Sequence, residues 1–281
     1  MPLLKNLKAK LLRAFAKRMK GKFVYDAAQY PLRAVTEEFI PSAWGPARAL
    51  FYWPNTESAQ PLPVYLNLHG GGFVAGVPEH DDSYCRRLAH NLGCLVVNVD
   101  YVLAPEHPFP AGLRQSFAVL EWLAEQAATL GIDPQRIAVG GHSAGGNLAI
   151  VTTMALRDHP AAVPVLVQHP IYPVVTLDAD WPSMREFANG YLLTDEAMAY
   201  FGEGHAATPG DYRSEPLNFS QQGMPPSLVT TASLDPLRDQ GIAYVEKLKQ
   251  DGVRVEHRSA EGNIHGHINI RQAIPSAQSD I

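Results

Sequence analysis

"RIAVGGHSAGGNLA", residues 136–149, joins a short apolar run to a stretch of helical character. "RIAVGG" (136–141) reads as a buried strand and "GNLAIVTTMALRD" (146–158) as a helix. Between them Gly141, Ser143 and Gly145 form G-x-S-x-G. A serine on so tight a turn needs small neighbours on both sides, and its hydroxyl projects from the top of a sheet. The helix N-terminus behind it favours developing negative charge. The pentapeptide alone arises by chance fairly often; its place between a strand and a helix gives it weight.

The same rhythm runs along the chain. "VTEEFI" (35–40) and "RALFYW" (48–53) read as opening strands, followed by "VYLNL" (64–68) and "CLVVNVDY" (94–101). "VLVQHP" (165–170), "SLVTTAS" (227–233) and "VRVEHR" (253–258) read as later strands. Helices are expected over "LRQSFAVLEWLAEQAATLG" (113–131) and "LRDQGIAYVEKLKQDG" (237–252). Strands alternating with helices imply an α/β fold with a mostly parallel central sheet flanked by helices. Residues 176–224 break the rhythm, with a helix near "TDEAMAYFGEGH", and are expected to lie over one edge of the sheet.

Reactive groups in such sheets gather at the C-terminal ends of strands. "NLHGGGFVAG" (67–76) follows one of them. A serine attacking an ester carbonyl creates an oxyanion, which needs preorganised N–H donors. Gly71 and Gly72 can supply two bare amides, and Ala144, after the serine, a third. A phosphate-cradling loop is the other use of such glycines, but no G-K-[ST] follows here. The serine also needs a base, and the base an orienting acid, in the chain order serine, acid, histidine. Asp235 and Asp239 stand just past the strand "SLVTTAS", the first in the turn and the second inside the next helix. His265 and His267 follow the last strand. His69 is expected to organise the glycine loop. The remaining histidines show no spacing of metal ligands.

"HGGGF", "VDYVLAPEHPFPAG", "GHSAGGNLA", "ASLDPLRDQG" and "IHGHIN" together resemble the bacterial esterases of the hormone-sensitive-lipase family. Those are α/β-hydrolases that cleave short-chain carboxylic esters. The resemblance runs from about residue 35 to the end. It implies Ser143 as nucleophile, Asp235 as orienting acid, His265 as general base, and an oxyanion hole from Gly71, Gly72 and Ala144. It also implies one α/β-hydrolase domain over residues 1–281, with a helical cap from about 1–45 and 176–224. Four departures stand out: His142 where the family often has an acid, Val102 for a common arginine, His267 for the usual phenylalanine, and a short stretch after His265 for the family's closing helix.

Composition narrows the alternatives. The chain has 281 residues, 46% hydrophobic and 18% charged, with net charge −5, so no overall basic field points to nucleic acid. Cys85 and Cys94 are too few for a disulfide framework and suit a reducing, cytoplasmic compartment. The first 22 residues hold eight basic residues and no acid, which leaves −13 on the other 259. Leu4, Leu7, Leu11, Phe15 and Met19 recur at helical spacing, and this helix is expected to pack its apolar face on the rest of the protein. A secretory signal is excluded by the lack of an apolar core; a presequence fits the charge but not the lack of serine; membrane-surface attachment is the remaining reading. No stretch is apolar enough to span a membrane. The expectation is a serine carboxylesterase without cofactor or metal, acting on a small-molecule ester. An amidase, lactonase or formamidase would use the same three groups, and a non-catalytic binding protein of this fold is the rival of another class. The last strand, "VRVEHR", could pair across a homodimer.

Overall fold

A computed structural model of the chain describes residues 2–19, 22, 26–56, 61–158, 164–270 and 274–278. An N-terminal helix, α1 (Pro2–Met19), comes before strands β1 (Ala34–Ile40), β2 (Ala47–Trp53) and β3 (Leu62–Leu68). Helices and strands then alternate through α2 (Asp82–Leu92), β4 (Leu95–Asp100), α3 (Ala111–Glu125) and the one-turn α4 (Ala127–Leu130). Next come β5 (Ile132–His142), α5 (Ala144–Asp158) and β6 (Val165–Ile171). The short α6 (Pro182–Glu186) and α7 (Asp195–His205) precede β7 (Ser227–Leu234), α8 (Arg238–Gln250) and β8 (Val255–Ile264).

All eight strands join one sheet in the order β1-β2-β4-β3-β5-β6-β7-β8. The β1/β2 and β2/β4 pairs are antiparallel, and every pair from β4 to β8 is parallel. Central strands covered on both faces need continuous apolar runs, and Leu66, Leu68, Val97 and Val139 are all fully buried. From β3 the chain winds outward to β4, then returns to β5 on the other side. That reversal opens a crevice between the loops leaving β3 and β5, where ligands bind in sheets of this kind.

Several local features differ from expectation. Helix α2 has no apolar stripe legible in sequence, because "DDSYCRRLAH" is dominated by polar residues, although Tyr84, Cys85 and Ala89 bury one side of it. The helix expected over 113–131 breaks at Gln126, which leaves the helical region. Of the segment 1–45, Ala34–Ile40 lies in the sheet rather than over the site, paired with β2 along its whole length.

The N-terminal helix is present, but its docking face is not the expected one. Ala9 and Ala16 are the buried residues, whereas Leu7, Leu11 and Phe15 stand in solvent. Arg13 makes the attachment: its guanidinium donates to the carbonyls of Val74 (2.8 Å) and Ala104 (2.5 Å) and pairs with Glu106 at 2.7 Å. Small residues allow the close approach that those hydrogen bonds need, and Leu7 and Leu11 are turned away. The side chain of Leu4 lies outside the described residues, as does most of the stretch after Ile270.

Candidate active site

Three strand ends bring the site together. Ser143 sits between β5 and α5 with φ +57°, a left-handed conformation costly for a residue with a Cβ. Its amide donates to the Ile171 carbonyl at 2.9 Å, which fixes the turn against the neighbouring strand β6. Gly145 allows this geometry, since a Cβ there would collide with the carbonyl of Leu68 on β3. The turn therefore presses against the exit of β3, beside the glycine loop.

His265 follows directly on β8. Its Nε2 lies 2.8 Å from Ser143 Oγ, and its Nδ1 lies 2.7 Å from Oδ2 of Asp235. Asp235, in the turn after β7, is fully buried; its other oxygen accepts the Leu237 amide at 2.8 Å. A buried carboxylate fixed in this way holds the Nδ1–H tautomer and leaves Nε2 free to take a proton from the hydroxyl. Asp239 is elsewhere, in the first turn of α8, accepting the Ser183 amide at 2.8 Å. His267 begins a 3-10 turn, buried, with Nδ1 3.2 Å from the Ile264 carbonyl. Of the two acids and two histidines, Asp235 and His265 are the pair joined to Ser143.

The glycine loop forms the facing wall. Gly71 (φ +129°) and Gly72 (φ +61°) line the same cavity as Ser143 and His265, while Ala144 begins α5. Among the described residues, no hydrogen bond within the protein uses the amides of Gly71 or Gly72. His69 does organise the loop: Nδ1 lies 2.8 Å from the Gly70 carbonyl, and the ring stacks on Tyr101 at 4.4 Å. Burial holds its pKa below the ordinary imidazole value, which keeps it neutral.

His142 belongs to a polar group that is not legible in the sequence. Its Nε2 lies 2.8 Å from Oδ1 of Asp81, a fully buried carboxylate that also accepts from Asn67 (2.7 Å) and Asn269 (3.1 Å). Burial works to raise the Asp81 pKa, but the His142 ring and the Asn67 amide outweigh it and hold the carboxyl below its usual range. The Gly70 amide nitrogen is 3.0 Å from the same Nε2. One nitrogen cannot donate to the carboxylate and accept an amide proton together, and the buried charge has the stronger claim. Tyr172 is a further residue of the site that the sequence does not mark. Its ring packs between those of His265 (4.6 Å) and His267 (5.3 Å). Neither residue announces itself in sequence, because the partners are joined only by folding.

The site opens into a cavity of about 880 Å³. Met184, Leu193, Met198 and Phe201 line it from the segment around α6 and α7, and Leu12 and Met19 from α1. Helix α7 is tightly docked: His205 stacks on Phe73 at 3.8 Å, and Phe201 lies against Gly72. A predominantly apolar cavity with Ser143 and His265 in its wall suits a small organic substrate whose reactive part is polar.

Comparison with known proteins gives a consistent picture. A family described as alpha/beta hydrolase fold matches residues 65–269. Esterase LipI of Mycobacterium tuberculosis is 37% identical over 260 residues, covering 88% of this chain and 79% of that protein. Carboxylesterase NlhH of the same organism is 39% identical over 235 residues, 80% of this chain and 72% of that one. The solved structure of an esterase from the archaeon Pyrobaculum calidifontis superposes with a TM-score of 0.89 at 36% identity, covering 99% of this chain and 94% of that one.

Proposed function

The chain belongs to the α/β-hydrolase family, among the esterases related to hormone-sensitive lipase, and from that premise we propose a serine carboxylesterase acting on short-chain esters through an acyl-enzyme. Ser143 is the nucleophile. As its Oγ attacks the ester carbonyl, Nε2 of His265 takes the hydroxyl proton across the 2.8 Å contact. Asp235 keeps the imidazole oriented and stabilises the imidazolium without accepting its proton. The amides of Gly71, Gly72 and Ala144 receive the developing oxyanion, each such donor contributing on the order of 3 kcal/mol to the transition state. His265 then protonates the leaving alcohol, activates a water on the acyl-enzyme, and returns the proton to Ser143.

The observation that carries this reading is the hydrogen-bonded chain Ser143–His265–Asp235, at 2.8 and 2.7 Å, opening on an apolar cavity. Helix α1 and residues 176–224 serve as the cap of a single domain, closing the cavity around the acyl group. Flexible methionines in that wall suit chains of varied shape. The buried free thiols of Cys85 and Cys94 favour a cytoplasmic setting, and the open edge of β8 is the place for a homodimer to pair. The test is Ser143→Ala on a panel of esters, amides and lactones. Wild-type kcat should be greatest on short acyl esters, with the variant about 10⁴–10⁶-fold lower. Near-normal turnover by the folded variant would remove the mechanism, and a preference for amides or lactones would move the activity to that class.

A further inference from the structure

Helix α1 presents large apolar side chains to solvent: Leu7, Leu11 and Phe15 are 53%, 62% and 64% exposed. At 3.6 residues per turn these three cover roughly 80° of the helix circumference. Exposed Lys10 and Lys17 border that stripe on one side and Arg18 lies within it, while Lys8, on the other side, rests its ammonium over the Tyr200 ring at 4.3 Å. The opposite face is fixed by Ala9, Ala16 and the Arg13 hydrogen bonds to Val74, Ala104 and Glu106. The stripe is thus held outward by its own anchor.

It also stands beside the cavity, since Leu12, Phe15, Ala16 and Met19 of the same helix line it. Two further exposed leucines adjoin that cavity: Leu177 lines it, and Leu192 lies over Gly266. Charge selects what covers this face. The first 22 residues hold eight basic residues and no acid, and of the described ones Lys10, Lys17 and Arg18 stand exposed beside or within the stripe, whereas Arg13 is turned to the opposite face and paired with Glu106. Protein interfaces are depleted in lysine. An apolar stripe bordered by lysines is instead the pattern of a helix lying in the headgroup layer of a membrane. We propose that α1 docks the protein on an anionic lipid surface, with the cavity opening beside the bilayer so that esters partition from lipid into the site. Docking itself is independent of catalysis; the delivery of esters rests on the esterase reading above. The helix adsorbs rather than spans, because no helix among the described residues is long and apolar enough to cross a membrane.

The full-length protein is floated with vesicles of phosphatidylcholine, alone or with about one-third phosphatidylglycerol, while light scattering reports its mass in solution. Wild type should partition onto the anionic vesicles at least about tenfold better than onto neutral ones and be released as salt rises. Leu7→Ser/Leu11→Ser, at exposed positions outside the cavity, should lower that partition at least about tenfold and leave hydrolysis of a water-soluble acetate ester unchanged. Ser143→Ala should float as wild type does, even if esterase activity proves to lie elsewhere. Equal partition of wild type and the double variant, or no preference for anionic lipid, overturns the proposal. So does a wild-type dimer that the double substitution dissolves without any vesicle binding, since the stripe would then belong to a second copy.

Discussion

Replacing Gly72 by alanine puts a methyl group where the ring of Phe201 already lies. The backbone there is at φ +61°, so an alanine also meets the left-handed penalty of about 1 kcal/mol. Relieving the overlap costs roughly another 1–3 kcal/mol, because α7 is packed hard on the loop. Stability should therefore fall by about 2–4 kcal/mol in urea titrations. The catalytic effect is separate. If the Gly72 amide receives the oxyanion, displacing it should lower kcat by about 10²–10³ on a short acyl ester. Adding Phe201→Ala removes the obstacle but not the backbone penalty. The double variant should then recover most of the lost kcat, within about tenfold of Phe201→Ala alone. Full kcat in Gly72→Ala would refute the placement of the oxyanion hole. A double variant whose loss is the product of the two single losses would refute the collision as its cause.

The neighbouring Gly71→Ala should be as damaging and resist any such rescue, because its Cβ meets the main-chain carbonyl of Ala75; steady-state kcat of the folded variant checks this. His265→Ala should reduce kcat by at least about 10⁴, whereas His267→Phe should stay within about tenfold, and ester hydrolysis assays separate them. Reversed effects would exchange the two histidines. Acid should destabilise the fold through His169 and His205, where burial, with the Arg258 charge adding at His169, holds both pKa values down at about 4. The unfolded chain binds those protons first, at about pH 6.5. Their contribution is intact above that pH and fades as pH falls toward 4, on the order of 3 kcal/mol for each ring. His205→Gln should flatten the dependence of Tm on pH across this window.

The fold and the reacting groups were legible because both depend on local pattern. Apolar runs of strand length, helices between them, and a small-residue turn around Ser143 are all written within a dozen residues. Asp235 and His265 could be narrowed by their place after strands, although spacing alone left Asp239 and His267 open. What could not be read depends on distant partners. Asp81 and His142 are 61 residues apart and meet only when β3 and β5 align their exits. The docking face of α1 is not the one its periodicity marks, because periodicity weighs large side chains. Its true anchor is Arg13 with Ala9 and Ala16, whose small size is what permits contact. Helix α2 is hard to read for a related reason, as its buried side rests on Tyr84, Cys85 and Ala89 amid charged residues.

The most direct test of the central claim is covalent capture of the nucleophile. A p-nitrophenyl phosphonate mimics the tetrahedral intermediate and leaves a stable adduct on an activated serine, so the modified protein can be digested and its peptides weighed. One phosphonyl group should appear per chain, on the peptide containing "GGHSAGG", with loss of activity in step with labelling. His265→Ala should slow the labelling by several orders of magnitude, since Ser143 would have lost its base. A label on any other residue, or full labelling with esterase activity retained, would contradict the account.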